Sequence, residues 1–247
     1  MHSKDKIVII GSSCDAAKII INSLVNNYLI IGVSRKGYEI KSDNYTNIKK
    51  DVAELSEFEI KGCKILINFA FDRYNKQNNF KISQIIRSLQ KKIKFKSILI
   101  STILAKNKVL SNYAKIKKSQ EIFFDKTIYL STIKSEPPIS ADKEIINFFQ
   151  KLKPFRFFFV YGNINLKMIS SENFVRLFNL FINERIEDSI FKDNEISLNE
   201  YLKNNLYYNR FYIPIFIPVN FFKFVIIKFN LNLKTGIFQK MTNLFFS

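Results

Sequence analysis

The rhythm of the first hundred residues limits what this chain can fold into more than any other feature. Short, continuous apolar runs alternate with segments whose apolar residues recur at helical spacing. Lys6–Ile10 (KIVII) stops at Gly11, and Asp15–Asn26 follows with a helical pattern. Tyr28–Val33 (YLIIGV) is the second run, Thr46–Lys49 the third, Lys64–Ala70 (KILINFA) the fourth and Ser97–Thr102 (SILIST) the fifth, with a helix over Ile82–Ile93 before it. Strands that are apolar throughout, rather than at every second residue, are buried on both faces, which is the condition of a parallel sheet covered by helices. A hairpin fold needs polar alternation and tight glycine turns, and neither is present. The sequence therefore predicts an α/β protein with a doubly wound parallel sheet. The pattern runs on through a helix at Ser111–Asp125, a strand at Thr127–Ser131, a helix at Ala141–Lys151, a strand at Phe155–Tyr161 and a helix at Ser171–Asn183. Beyond Glu184 it breaks into short elements, proline pairs and phenylalanine clusters. Residues 1–184 are expected to form the main domain and residues 185–247 a small C-terminal lobe.

Composition narrows the chemistry. A chain of 247 residues holds one sizeable core, and 47% hydrophobic with 24% charged residues is ordinary for a globular protein. The formal charge of +18 suggests nucleic acid at first sight. The basic residues are nevertheless spread along the chain, and Lys, Asn, Ile and Phe dominate together as AT-rich coding would produce. Nucleic-acid binding is not expected, although anionic ligands are attracted. Cys14 and Cys63 make no disulfide framework and have no metal spacing, and His2 is the only histidine. Serine–histidine catalysis and metal sites are therefore not expected. No signal-peptide pattern precedes the first apolar run, so a cytoplasmic setting is expected. The apolar stretch 211–229 (FYIPIFIPVNFFKFVIIKF) is interrupted by Pro214, Pro218, Asn220, Lys223 and Lys228, too often for a spanning helix. It reads either as an internal helix on the core or as a basic, Phe-rich tail making a peripheral membrane contact.

Chemistry gathers at the ends of the apolar runs. The first turn reads Gly11-Ser12-Ser13-Cys14-Asp15-Ala16-Ala17. Small residues between a strand and a helix let the backbone approach a pyrophosphate while the helix start offers N–H groups and positive dipole. Cys14 stands where a further glycine is usual. At the end of the second run, Ser34-Arg35-Lys36 lacks the acid that accepts from an adenosine ribose, and Arg35 suits a 2′-phosphate. Its alternative is a solvated basic loop. Asp51 and Asn68-Phe69-Ala70 fall where adenine and ribose contacts are expected in such a Rossmann-type site. Tyr113 and Lys117 lie one helical turn apart, where an ammonium lowers a phenol's pKa and makes it an acid or base. They follow Ser101-Thr102, whose hydroxyls can bond the same substrate oxygen.

The order of the glycine turn, Arg35, Asp51, Asn68-Phe69-Ala70, Ser101-Thr102 and Tyr113…Lys117…Glu121 resembles the short-chain dehydrogenase/reductase superfamily, in its extended branch of NAD-dependent epimerases and dehydratases. The likeness covers residues 5–125 well and 126–247 loosely. It implies that Tyr113 is the catalytic acid/base, that Lys117 binds the nicotinamide ribose, and that Thr102 or Ser101 orients the substrate oxygen. It further implies that Gly11, Ser12, Ser13, Cys14, Arg35, Asp51, Asn68 and Ala70 hold NADP or NAD, with NADP favoured. The implied reaction is oxidoreduction or epimerisation of a nucleotide-activated sugar, for a cell-surface polysaccharide, by a homodimer paired through sheet-flanking helices. Ile103 and Leu104 stand where the dehydratases carry an acidic pair, which disfavours 4,6-dehydration. A degenerate relative that binds or senses a dinucleotide without turnover is the second reading.

Overall fold

A computed structural model describes residues 4–72, 75–106, 112–134, 157–161, 165–187, 189–193, 195–197, 200–201 and 213–217. Its centre is a seven-stranded sheet. The strands are β1 (Lys6–Ile10), β2 (Leu29–Ser34), β3 (Tyr45–Lys49), β4 (Cys63–Asn68), β5 (Lys96–Thr102), β6 (Lys126–Leu130) and a two-residue edge, β10 (Ile190–Phe191). Their spatial order is β10-β6-β5-β4-β1-β2-β3, and every pairing is parallel. The order reverses between β1 and β4, so a crevice opens beyond the carboxyl ends of these two strands, where doubly wound sheets bind ligands. The predicted Rossmann-type architecture is what the chain adopts.

The continuous apolar runs explain the layers. In β1, Ile7 and Ile9 face one side and Val8 and Ile10 the other, and all four are fully buried. The first side packs under α1 (Asp15–Leu24) and α5 (Ser171–Ile182) through Ile20, Leu24, Phe174, Phe178 and Phe181. The opposite side packs under α3 (Lys76–Lys92), with Ile82, Ile86 and Leu89 against Leu66 and Leu99. Two shorter helices are α2 (Glu57–Ile60) and α4 (Asn112–Gln120).

Several boundaries differ from the sequence reading for identifiable reasons. α3 begins six residues earlier than its apolar pattern, because the Asn75 side chain accepts from Asn78 N (3.0 Å) and supports a polar first turn. The helix expected over Ser111–Asp125 ends at Gln120 and tightens into a 3₁₀ turn over Glu121–Phe123. α2 was not expected at all; a capping box between Ser56 and Glu59 starts it. Further short strands are β7 (Thr132–Lys134), β8 (Phe157–Tyr161), β9 (Asn165–Ser170), β11 (Glu195–Ser197) and β12 (Ile213–Ile217). β12 pairs in parallel with β8, which corrects the internal helix considered for the stretch from 211 onwards, at least over 213–217. Pro214 and the β-branched Ile213, Ile215 and Ile217 favour the extended form there. The helix expected at Ala141–Lys151, and most of the lobe from 185 to 247, lie outside the described residues. Among the described residues no helix is long and apolar enough to cross a membrane.

Candidate functional site at the crevice between β1 and β4

The first turn of the chain is pressed against the end of β4. Gly11 has φ +80, and a Cβ there would lie 2.6 Å from Ala70 N and 2.9 Å from the Phe69 carbonyl carbon. Only glycine tolerates both the angle and the approach. Gly11 N donates to Val33 O (2.8 Å), tying the turn to β2. Ser12 is fully buried, and its hydroxyl donates to Ser34 Oγ (3.0 Å), which also accepts from Gly37 N (3.1 Å). Ser12 and Ser34 are thus struts beneath the turn, while Ser13 is half-buried at its surface. Cys14 is the N-cap of α1 in extended conformation. Burial pushes its thiol pKa up, opposed by the Ala17 N–H and the Lys117 ammonium.

The remaining sequence-predicted residues line the neighbouring strand ends. Arg35 and Lys36 are exposed just past β2. Asp51, after β3, accepts from Ala53 N (2.9 Å) and so caps the following 3₁₀ turn. Asn68 is fully buried at the end of β4; its Oδ1 accepts from Ala70 N (2.9 Å), while Nδ2 is buried without a partner. An orphaned buried donor is costly and marks a position where a ligand atom or water belongs.

On the far side of the crevice, α4 lies against β5. Lys117 is 3% exposed, and its Nζ donates to Ile100 O (2.9 Å). Burial lowers its pKa to about 8, and the nearby Cys14 thiol opposes that shift. The Phe71 ring lies 5.0 Å from Lys117 Nζ and meets the Tyr113 ring edge-on at 4.7 Å. Phe71 thus joins Tyr113 to Lys117, and Lys117 lies within electrostatic reach of Cys14 in the first turn. The two hydroxyls of Ser101-Thr102 behave differently. Ser101 Oγ donates to Glu121 Oε1 (3.2 Å), and Glu121 Oε2 accepts from Tyr129 Oη (2.9 Å). Burial, together with Glu121, pushes the Tyr129 phenol up to about 12, and Lys106 Nζ stands 4.2 Å over its ring. Thr102 Oγ1 accepts a long bond from Leu104 N (3.4 Å), which leaves its own proton for another acceptor.

Sequence reasoning did not single out Phe71, Tyr129 or Lys106. Phe71 follows Asn68-Phe69-Ala70 directly, so its place beside the strand end was readable, but its contacts with α4 depend on the crossover. Tyr45 was missed as well. Its Oη is buried 2.2 Å from where a Cβ on Gly32 would stand, so Gly32 is the space in β2 that admits the phenol.

No protein-family model matches the sequence, and no curated protein matches it. Solved structures do match. WbmG of Bordetella bronchiseptica, solved with NAD and UDP, superposes with a TM-score of 0.68 at 15% identity, covering 87% of this chain and 83% of that one. TunA, described as an NAD-dependent NDP-hexosamine 5,6-dehydratase of tunicamycin biosynthesis, gives 0.66 at 12% identity over 87% and 84% of the two chains. A UDP-N-acetylglucosamine 4-epimerase from Methanobrevibacter ruminantium M1 gives 0.64 at 14% identity over 88% and 86%. At such identities the likeness is one of fold alone: the Rossmann-type fold that this chain shares with these solved epimerase and dehydratase structures.

Proposed function

We propose that this protein is an NAD(P)-dependent oxidoreductase or epimerase, of the ketoreductase or 4-epimerase type, acting on a nucleotide-activated sugar. The observation that carries this reading is the convergence of Tyr113, the buried Lys117 and the Gly11–Cys14 turn on one crevice. The crevice suits a dinucleotide. Gly11 gives the backbone close approach, the N-terminus of the ten-residue α1 offers backbone N–H groups and positive dipole, and a cation stands opposite. Gly11, Ser13 and Cys14 would border the pyrophosphate, with Ser12 supporting them from below. Asp51, Asn68 and Ala70 would face the adenosine half, and Lys117 the nicotinamide ribose. When bound, the nicotinamide supplies the acceptor or donor of hydride.

The chain's own residues then handle the proton and the substrate oxygen. Tyr113 gives or takes the proton of that oxygen. Lys117, with an ammonium form that burial makes easy to lose, stabilises the phenolate electrostatically. Thr102 supplies the hydroxyl that orients the oxygen, because its proton is uncommitted, whereas the Ser101 proton is held by Glu121. At the end of β2, Ser34 is occupied by Ser12 and Gly37, while Arg35 and Lys36 are exposed. This arrangement supports NADP over NAD. The same reading places the protein in the cytoplasm and in cell-surface polysaccharide assembly, with residues 185–247, apart from β10, as the substrate lobe. It also includes a homodimer paired along the α3 and α4 side, where Ile122 is 77% and Phe80 40% exposed. A peripheral membrane contact of the tail beyond 217 belongs to the proposal too.

Titration with NADPH and NADH, followed by nucleotide fluorescence and melting temperature, tests the reading. Saturable binding with a raised melting temperature is expected, and no response to either dinucleotide overturns it. A second reading, a dinucleotide sensor without turnover, draws on the Cys14 thiol at the head of α1. It predicts binding with no reduction of any nucleotide-activated keto-sugar.

A further inference from the structure

We propose that Phe71 is a positioning residue for the Tyr113–Lys117 pair, its ring fixing the direction of the ammonium and the tilt of the phenol. The proposal rests on the dinucleotide reading of the crevice and adds to it a residue beyond Tyr113, Lys117 and Thr102, to which proton transfer and substrate orientation are assigned there. Phe71 follows the end of β4 by three residues, on the segment that also closes over Gly11. Its ring touches both partners at once: Lys117 Nζ lies 5.0 Å from the centroid, and the Tyr113 ring meets it at 4.7 Å with planes 85° apart.

Both contacts have directional chemistry. A ring face is the negative part of an aromatic quadrupole and its rim the positive part, so a cation prefers the face and a second ring prefers an edge-to-face contact. An ammonium has three N–H donors. One of those on Lys117 goes to Ile100 O at 2.9 Å, and the Phe71 face takes up a second direction. Lys117 and the Cys14 thiol at the start of α1 also act on each other's ionisation. A lysine side chain without such a partner samples many rotamers; here two contacts hold it, and the third donor is left for a ligand in the crevice. Among the described residues, the Cys14 thiol is the ionisable group whose charge acts on Lys117, and β5 contributes only the Ile100 carbonyl.

Two substitutions separate a directional role from simple packing. Phe71→Leu keeps the site apolar but removes the ring face, so the buried ammonium loses its partner and its pKa falls by about one unit below that of the wild type. Phe71→Ala admits water, and the pKa rises towards the ordinary lysine range. Phe71→Trp, which keeps a ring face, restores a value near the wild type. The measurement is a ¹³Cε NMR titration of Lys117 in the full chain, with the resonance assigned by its loss in Lys117→Met. It needs no cofactor. In parallel, NADH and NADPH are titrated by fluorescence, with affinity about fivefold weaker expected for Phe71→Leu and near-wild-type affinity for Phe71→Trp. An unchanged Lys117 midpoint in Phe71→Leu overturns the proposal, and so does a shifted midpoint with unaltered dinucleotide affinity. If the wild-type protein binds neither dinucleotide, the functional reading fails, while the NMR midpoints still decide whether Phe71 holds Lys117.

Discussion

Lys117 shows what burial does to a single charge. Its pKa is lowered from 10.5 to about 8, so between these values the unfolded chain binds more protons at this group than the folded one. Stability contributed by the group therefore rises as pH increases through this window, and below about pH 8 the full cost of the buried charge is present. That cost is at most about 3 kcal/mol. Lys117→Met should accordingly raise the melting temperature at pH 7 and lose this advantage towards pH 10, with dinucleotide binding weakened throughout. A melting temperature that falls at pH 7 would mean that the ammonium's bond to Ile100 O outweighs its desolvation. Tyr113→Phe keeps the ring against Phe71 and removes only the hydroxyl. Turnover should vanish while dinucleotide affinity changes little, as steady-state assays and fluorescence titration can check. Glu121 accepts from both Ser101 and Tyr129, so Glu121→Gln replaces a charge-assisted acceptor with a weaker one. A stability loss of about 1–3 kcal/mol and a Tyr129 phenol titrating closer to 10 are expected from denaturant unfolding and ultraviolet titration.

Elements place these residues. The β1–α1 turn works only because a glycine accepts φ +80 and the approach of Ala70. Gly11→Ala should cost more than about 2 kcal/mol and abolish dinucleotide binding, since either the turn or the end of β4 must move. Normal affinity in a folded Gly11→Ala protein would remove the turn from the site. Much of this level was legible in the sequence. β1, β2, β4 and β5 stood out as continuous apolar runs because each is buried on both faces. β10 and β11 did not, being two and three residues long, too short to carry a periodic signal. The early start of α3 and the whole of α2 rest on caps rather than on an apolar face, so hydrophobic periodicity gave no warning of them.

At the scale of the molecule, the sheet's order decides where chemistry meets. β1 and β4 are neighbours although two strands, α1, a 3₁₀ turn and α2 separate them in the chain, and their carboxyl ends frame the crevice. The helices on the α3 side leave Ile122 and Phe80 exposed, and Phe80 meets Phe123 edge-on at 4.9 Å. If that side pairs two copies, Ile122→Asp should convert a dimer to a monomer by light scattering with the fold intact. A wild-type monomer would dismiss the pairing.

Local sequence alone determined the α/β class, the strand runs, the small-residue turn at Gly11 and the one-turn spacing of Tyr113 and Lys117. Those are consequences of periodicity and of side-chain size, which act between near neighbours along the chain. Only the tertiary structure decided that Phe71 touches both Tyr113 and Lys117, that Glu121 claims the Ser101 proton and leaves that of Thr102 available, and that Tyr45 fills the space over Gly32. Each of these joins residues from different strands and helices. Such partners are chosen by the crossovers and by packing against a shared sheet, and no spacing along the chain encodes them.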